Sequence, residues 1–527
     1  MSEPIHMLDW TAWLSQPWLR WPITTVYLIL MSLISIYGLH RYWLVLLFNR
    51  HRRDRPRPKQ RFKSLPRVTV QLPMFNESRV ASRIIDAACN LDYPRDRIQI
   101  QVLDDSNDGS LSQVEDRVND WQASGVDIQL LHRTDRTGYK AGALQAALPH
   151  AKGELIAIFD ADFIPPPSFL RRTVHYFTDP KLGMVQTRWT HLNRDDSMLT
   201  RGQAIFLDGH FVIEHNARNR CGAWINFNGT AGIWRREAIE SAGGWHHDTL
   251  TEDVDLSYRA QLAGWTFLFL PWVQCPAELP PEINAFKSQQ HRWTKGSIQT
   301  AIKLLPALLR AKVTPTIKLE AFFHLTSPMV YLYVTLLAVL FYPVIAMNIN
   351  PFGGLWYGPI LGMGLFALGT VSAAVFYITS QHAQRRSIWG TIAQVPLLMA
   401  IGIGIAMNNA IACIEALLGH QSPFVRTPKY NVQGLSTPDC QERTIGPIIP
   451  IPDLKRSVCM LEIVMGIYML LCIWMSVHTG HTAVSLPFLF LFASGYFYVG
   501  LSSLWTHFKV SRLIHQPVTR IACKQNL

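Results

Sequence analysis

The sequence is poor in cysteine chemistry. Its eight cysteines (Cys89, Cys221, Cys275, Cys413, Cys440, Cys459, Cys472 and Cys523) include no CxxC pair and no metal-ligand spacing. That excludes a disulfide framework and a zinc site of the usual kind, and suits a catalytic region in a reducing compartment. No Gly-rich fingerprint follows the first strand-like run, which argues against a dinucleotide-binding fold. Internal repeats and low-complexity tracts are also missing, so solenoids and disordered arrays are excluded. A cleaved leader is not expected. The first apolar block starts late and runs long, without a short basic stretch before it or a small-residue cleavage site after it.

What the chain has in quantity is apolar length. Of its 527 residues 49% are hydrophobic, with 17 tryptophans and a net charge of +12. One apolar block fills 23–48, several more lie within 319–505, and 64–300 has the look of a soluble α/β sequence. Blocks of ~20 apolar residues can cross a bilayer core of ~30 Å. The expectation is a multi-pass membrane protein with one soluble insert. Trp10, Trp13, Trp18 and Trp21 form an interfacial belt at the entry to the first span. After that span, "NRHRRDRPRPKQRFK" (49–63) carries eight Lys or Arg. Such a run can bind nucleic acid, but beside a span it serves as a cytoplasmic retention signal, so no nucleic-acid partner is expected.

The cleanest spans are 23–48, 319–348, 355–380, 457–478 and 482–505. Residues 388–418 are apolar too, yet contain Gln394, Asn408, Asn409 and Glu415. Making them a sixth span would export the basic segment 421–456 against the positive-inside bias. They are therefore expected to lie along the cytoplasmic face or re-enter it partly.

Inside 64–300, "VTVQLPM" (68–74), "IQIQVLDD" (98–105), "IQLLHR" (128–133), "LIAIFDAD" (155–162) and "MVQTRW" (184–189) have the pattern of strands. "ESRVASRIIDAACN", "AGALQAALPHA" and "DVDLSYRAQLAG" have that of helices. Strands alternating with helices predict a mostly parallel, doubly wound sheet, with chemistry at the carboxyl ends of its strands.

Two of those ends finish in paired carboxylates, Asp104 with Asp105 and Asp160 with Asp162. One such pair is an ordinary cap or turn. Two at neighbouring ends repel unless a cation or ligand compensates them. Asp160 and Asp162, one residue apart, share a side of an extended chain. As hard oxygen ligands they suit Mg²⁺ or Mn²⁺ on a diphosphate. A third cluster, Glu252, Asp253 and Asp255, opens a helix after Thr251, where capping explains it as readily as catalysis. "QQHRWTKGS" (289–297) gathers an amide, a guanidinium and an indole just before the chain turns apolar. As a plain amphipathic turn at a lipid surface it would be unremarked.

In this order, "QLPMFNES", "QVLDDSNDGS", "GYKAGAL", "FDADF", "MVQTRW", "NFNGTAGIWRR", "TEDVDLSYRA", "QQHRW" and "FVRTPK" resemble the processive family-2 glycosyltransferases. The likeness is to cellulose synthases and, more closely, to the plant-type cellulose-synthase-like mannan and glucan synthases, and it covers nearly the whole chain. It implies a GT-A-like nucleotide-sugar transferase domain of α/β fold, facing the cytoplasm between transmembrane helices in an inner or plasma membrane.

The resemblance also implies roles. Asp104 and Asp105 would bind the base and ribose side of the donor, and Lys140 its phosphate or ribose region. Asp160 and Asp162 would hold the metal, and Asp160 with it the donor. Asp253 would be the general base. Gln289 and Arg292 would grip the diphosphate, while Trp293 stacks on the terminal sugar of the growing chain. Asn228, Gly229 and Thr230 would line the acceptor site, and Phe424, Thr427 and Lys429 would belong to a gating segment. There Arg426 stands where relatives carry Val, which weakens the carry-over of gating.

By the same likeness the expected division is an N-terminal segment, span and basic linker (1–63), the transferase domain (64–300), interfacial helices and two spans (301–418), a gating-type loop (419–456), and two spans with a basic tail (457–527). Relatives that respond to cyclic dinucleotides carry a further domain after their last span. The short stretch after residue 505 makes that route unexpected, and no accessory subunit is specified. The expected activity is inverting, processive synthesis and translocation of a β-linked hexose polymer. The first choice is a β-1,4-glucan from UDP-glucose, and the alternative a β-mannan or glucomannan from GDP-mannose. The rival of another class is non-processive transfer of one sugar to a lipid carrier, which has no need of "QQHRW" with "FNGT".

Overall fold

A computed structural model describes residues 16–349, 361–362, 364–365, 367–422, 426–429, 431, 453–479 and 482–514. The chain enters through α1 (Pro17–His51), a 35-residue helix whose Trp18 and Trp21 are exposed. The basic stretch then leads into β1 (Val68–Met74), α2 (Ser78–Cys89), β2 (Ile98–Asp104), α3 (Ser110–Ala123), β3 (Ile128–His132), α4 (Tyr139–Ala147) and β4 (Leu155–Ile158). There follow β5 (Leu182–His191), α5 (Met198–Asp208), α6 (His215–Arg220), β6 (Gly232–Arg235), α7 (Glu252–Leu262) and β7 (Thr266–Ala277).

The seven described strands form one sheet in the order β3-β2-β1-β4-β6-β5-β7. Its centre is buried on both sides, so even the polar residues of β1 and β2 are enclosed. They pair across the strands in register. Thr69 donates to Gln99 at 2.8 Å and Gln71 to Gln101 at 3.0 Å, which gives these buried donors partners. Val70, Leu72, Ile84 and Ile100 fill one side of the sheet. Leu144, Ile156, Trp234 and Phe269 fill the other.

The five expected strands are present within a few residues. The sheet departs from the expected parallel order on one side. β3-β2-β1-β4 is parallel, but β6 runs antiparallel to both β4 and β5 before β5 pairs parallel with β7. β6 has only four residues, too few to show a period of its own, and it turns back because the loop before it must leave the carboxyl edge.

Beyond the sheet come α8 (Ile283–Arg310), α9 (Pro315–Thr326), α10 (Met329–Ala346), α11 (Ser372–Ala383), α12 (Ile388–Gly404), α13 (Ala406–Leu417), α14 (Asp453–His478) and α15 (Thr482–Ile514). Among the described residues, five stretches are long and apolar enough to cross a membrane: Pro17–His51, Met329–Ala346, Ile388–Leu417, Ser457–His478 and Leu486–Phe508. The block expected at 319–348 divides between α9 and α10, and 388–417 is long and apolar enough for a span, as its composition allowed. Of the block at 355–380, residues 355–360, 363 and 366 lie outside the described residues.

Residues 388–417 are nonetheless not one uninterrupted helix. They break at Ile405, and each half has its own partner. α12 packs on α15, where a Cβ on Gly404 would lie 2.3 Å from the Gly495 carbonyl. α13 lies against α8, held by an ion pair of 2.7 Å between Glu415 and the fully buried Lys295. The chain after α13 is thus at the level of α8, and residues 426–429 reach the carboxyl edge of the sheet.

Candidate active site

The carboxyl ends of β1, β2 and β4, the loop before β6, the start of α7 and the middle of α8 enclose a cleft of about 170 Å³. β2 runs into Asp105, whose carboxylate takes two hydrogen bonds from Arg133, at 2.8 and 2.5 Å. Beside it the Arg136 guanidinium lies 3.2 Å from the centroid of the Phe75 ring. Together they make a flat, cationic and aromatic slot.

Asp104 is placed differently. Its side chain is fully buried and accepts from the Ser106 backbone N–H at 2.6 Å, and it does not line the cleft. Alternation along β2 explains this, since successive side chains take opposite sides of the sheet. Of the two aspartates only Asp105 faces the cleft.

Lys140, near the start of α4, donates to Asp160 at 2.5 Å and to the Gly229 carbonyl at 2.8 Å. Asp162 meets Lys429 at 2.5 Å, and burial raises its pKa against the lowering effect of that ammonium. Each carboxylate of the pair is therefore met by an ammonium. This is the compensation two close like charges need, and the hard oxygen donors fit a divalent cation in the same role. Glu77, at the end of "MFNE", faces the same edge. It pairs with Arg426 at 3.1 Å, and burial pushes its pKa up to about 7.

The loop before β6 depends on glycine. Gly229 has a φ of +79°, and a Cβ there would stand 3.1 Å from Asp253 Oδ2, so the loop can approach the carboxylate only without a side chain. Asn228 and Gly229 line the cleft. Thr230 does not. It is fully buried, and its hydroxyl accepts from the Asp160 N–H at 2.8 Å, tying this loop to the end of β4.

Asp253 lies in the first turn of α7 and accepts from the Val254 N–H at 2.9 Å. Burial, with the adjacent Glu252, raises its pKa to about 7 against the pull of Lys140. Opposite it runs α8, with Gln289, Arg292 and Trp293 on the cleft wall. Arg292 stands within electrostatic reach of Glu252, Asp160, Asp253 and Asp162. The close approach of α8 depends on Gly296, one turn on, where a Cβ would meet Thr251 atoms at 2.5–2.8 Å.

A second cavity, of about 1460 Å³, extends from this point among α1, α8, α10, α11, α12 and α15. Trp189, Asn228, Asp253, Gln289 and Trp293 line both spaces. The indole of "QQHRW" therefore stands where the cleft opens into the larger cavity.

The structure brings together Asp105, Lys140, Asp160, Asp162, Asn228, Gly229, Asp253, Gln289, Arg292, Trp293, Thr427 and Lys429 in one cleft. Phe424 lies outside the described residues. Phe75, Glu77 and Arg136 escape sequence reasoning as site residues, although "QLPMFNES" contains two of them. Nothing in a turn sequence distinguishes a side chain aimed into a cleft from one aimed at solvent.

The sequence profile described as "Glycosyltransferase like family 2" matches residues 66–296. Among characterised proteins, glucomannan 4-beta-mannosyltransferase 2 of Arabidopsis thaliana is 45% identical over 254 residues, covering 47% of this chain and 48% of that protein. This match spans about half of the relative's length. Glucomannan 4-beta-mannosyltransferase 7 of the same plant is 34% identical over 427 residues, covering 78% of this chain and 72% of its own. Among solved structures, the mannosyltransferase PcManGT from Pyrobaculum calidifontis, determined in complex with GDP-Man and Mn²⁺, aligns with a TM-score of 0.50 at 23% identity. It covers 70% of this chain and 99% of that one, a likeness of fold.

Proposed function

The chain belongs to the family-2 glycosyltransferases of the cellulose-synthase-like kind, and from that premise we propose that it is a membrane-embedded, processive β-mannan or glucomannan synthase using GDP-mannose. The names borne by its relatives favour a mannosyl donor over UDP-glucose and the β-1,4-glucan expected first. One observation carries the processive reading: Asp253 and Trp293 line both the cleft and the large cavity. A sugar chain whose end lies against Asp253 then has space to continue among the membrane-level helices.

The nucleotide base is assigned to the slot formed by Phe75, Arg136 and Asp105. Asp160 and Asp162 would hold Mg²⁺ or Mn²⁺, whose charge offsets that of the diphosphate. Asp253 takes the proton from the acceptor hydroxyl. A basic carboxylate with a raised pKa accepts that proton better than an ordinary one. Arg292 and Gln289 stabilise the departing nucleoside diphosphate, the electrostatic share of the catalysis. One displacement at an α-linked donor gives a β-linkage, needing one base and one leaving-group clamp rather than two flanking carboxylates. Trp293 stacks on the terminal ring as the chain steps on. The basic stretch 49–63 favours a catalytic domain in the cytoplasm.

The test is to incubate membranes carrying the protein with labelled GDP-mannose, UDP-glucose or both, then size the product and digest it with β-mannanase or cellulase. A long, β-mannanase-sensitive product is expected from GDP-mannose. A cellulase-sensitive product from UDP-glucose alone would return the first choice, and single-sugar lipid products would overturn processivity.

A further inference from the structure

The wall of the large cavity is mainly aromatic and aliphatic, and ionisable side chains interrupt it in few places. At the end next to Asp253 two of them stand side by side, His210 and Glu214. Both lie on a π-helical turn, Gly209–Glu214, that joins α5 to α6. Such turns shift side chains out of the regular helical register and recur at functional positions.

Glu214 is held from two sides. One oxygen meets His210 Nδ1 at 3.1 Å, and the other accepts from Arg218 at 3.3 Å. Arg218 is fully buried, while Glu214 keeps 23% of its side chain exposed. A carboxylate has about four acceptor positions, so capacity remains on the exposed side after both contacts.

Asn228, the loop residue that the family resemblance assigns to the acceptor, is engaged by two histidines. Its amide contacts His210 at 2.9 Å on one side and His215 at 2.9 Å on the other. Glu214 keeps spare accepting capacity at this end of the cavity, and it carries the fixed negative charge. A neutral polymer of hexoses offers two things to a wall, ring faces for aromatic groups and hydroxyl donors along its edges. A fixed anion accepts from neighbouring hydroxyls more strongly than a neutral group does.

We propose that Glu214, fixed by His210 and Arg218 on the π-turn, is a positioning residue for the growing chain. It accepts hydrogen bonds from hydroxyls of the sugars just behind the terminal one, and so sets the register of the chain end against Asp253. The proposal rests on the polymer-synthase reading above.

The experiment compares the full chain in lipid nanodiscs with its Glu214→Gln and Glu214→Ala variants. Transfer from labelled GDP-mannose (or UDP-glucose, if that is the donor used) to added β-1,4-linked hexaoses of mannose and of glucose is followed against acceptor and donor concentration, with product length. Glu214→Ala is expected to raise the acceptor concentration for half-maximal rate by roughly 10-fold or more, the weight of a charge-assisted hydrogen bond, and to shorten the product. The donor KM should stay within about 2-fold, because nothing assigned to the donor touches Glu214. Glu214→Gln, nearly the same shape, should move in the same direction by less.

Unchanged acceptor dependence and length in both variants would overturn the proposal. So would donor and acceptor constants rising together with a lowered melting temperature, which marks a structural role. Should Glu214→Ala fail to fold, the Gln variant decides. Wild-type protein that elongates neither hexaose and makes no polymer is a different outcome, and it defeats the functional reading itself.

Discussion

The ammonium of Lys429 lies 2.5 Å from a carboxylate oxygen of Asp162, although 267 positions separate them in the chain. Three residues earlier, Arg426 pairs with Glu77 at 3.1 Å. Residues 426–429, after α13, thus rest on two buried acids at the edge of the cleft. On the proposed reading, a donor arriving with a divalent cation would have to share Asp162 with this lysine or displace it.

Lys429→Ala removes that competitor. The divalent-ion concentration giving half-maximal synthesis, measured at saturating donor, should fall by about 3-fold or more, the scale of a partly screened ion pair. An unchanged metal requirement would show that Lys429 and the cation do not compete.

Asp253→Asn keeps the size of the side chain but not its basicity, so synthesis should drop by at least ~10²-fold. Donor binding, read by nucleotide displacement, should survive. The pH dependence follows in sign from the raised pKa. The active form is the deprotonated one, so wild-type activity at saturating donor should decline as pH falls through about 7. Residual activity of the Asn variant should lack that limb.

Arg292→Ala and Trp293→Ala should fail in different ways despite being neighbours. The first strips a guanidinium from the diphosphate and should raise the donor KM, since no uncharged side chain replaces a bidentate cation there. The second should leave donor KM near wild type and shorten the polymer. Equal loss of donor binding in both, with no change in length, would cancel the division of roles.

Gly296→Ala tests how closely α8 must approach α7. Its new methyl would meet Thr251 side-chain atoms at 2.5 and 2.7 Å and the Thr251 backbone N at 2.8 Å. A rigid backbone atom cannot move aside, so the helices must separate, at a cost of about 1–3 kcal/mol for overpacking. A lowered melting temperature together with reduced turnover is expected. Normal values for both would mean the approach is not needed.

The strands that build the centre of the sheet were legible because β1, β2 and β4 are short apolar runs bounded by turn residues, a local pattern that burial enforces. Asp105, Asp160, Asp253 and Arg292 were legible for another reason: the motifs containing them place charge where charge is costly. Asp104 and Thr230 belong to the same motifs, yet both face inward, to Ser106 and to the Asp160 backbone. A motif identifies a neighbourhood, whereas the side of the strand decides which residue of it meets a ligand. The division of 388–417 at Ile405 was not legible either, because packing partners far along the chain, α15 for one half and α8 for the other, set that break.

By itself, then, the sequence determined the class of chemistry and the alternation of elements, since carboxylate clusters, apolar lengths and short-range periodicity are properties of adjacent residues. Tertiary structure alone decided the antiparallel insertion of β6, the ammonium partners of Asp160 and Asp162, the seating of Arg426 and Lys429 on the cleft, and the joining of cleft and cavity at Trp293. Each of these depends on groups tens to hundreds of residues apart meeting at a few ångströms. The energies that hold them there, desolvation, ion pairing and close packing, are functions of distance in space and leave no trace in the order of residues.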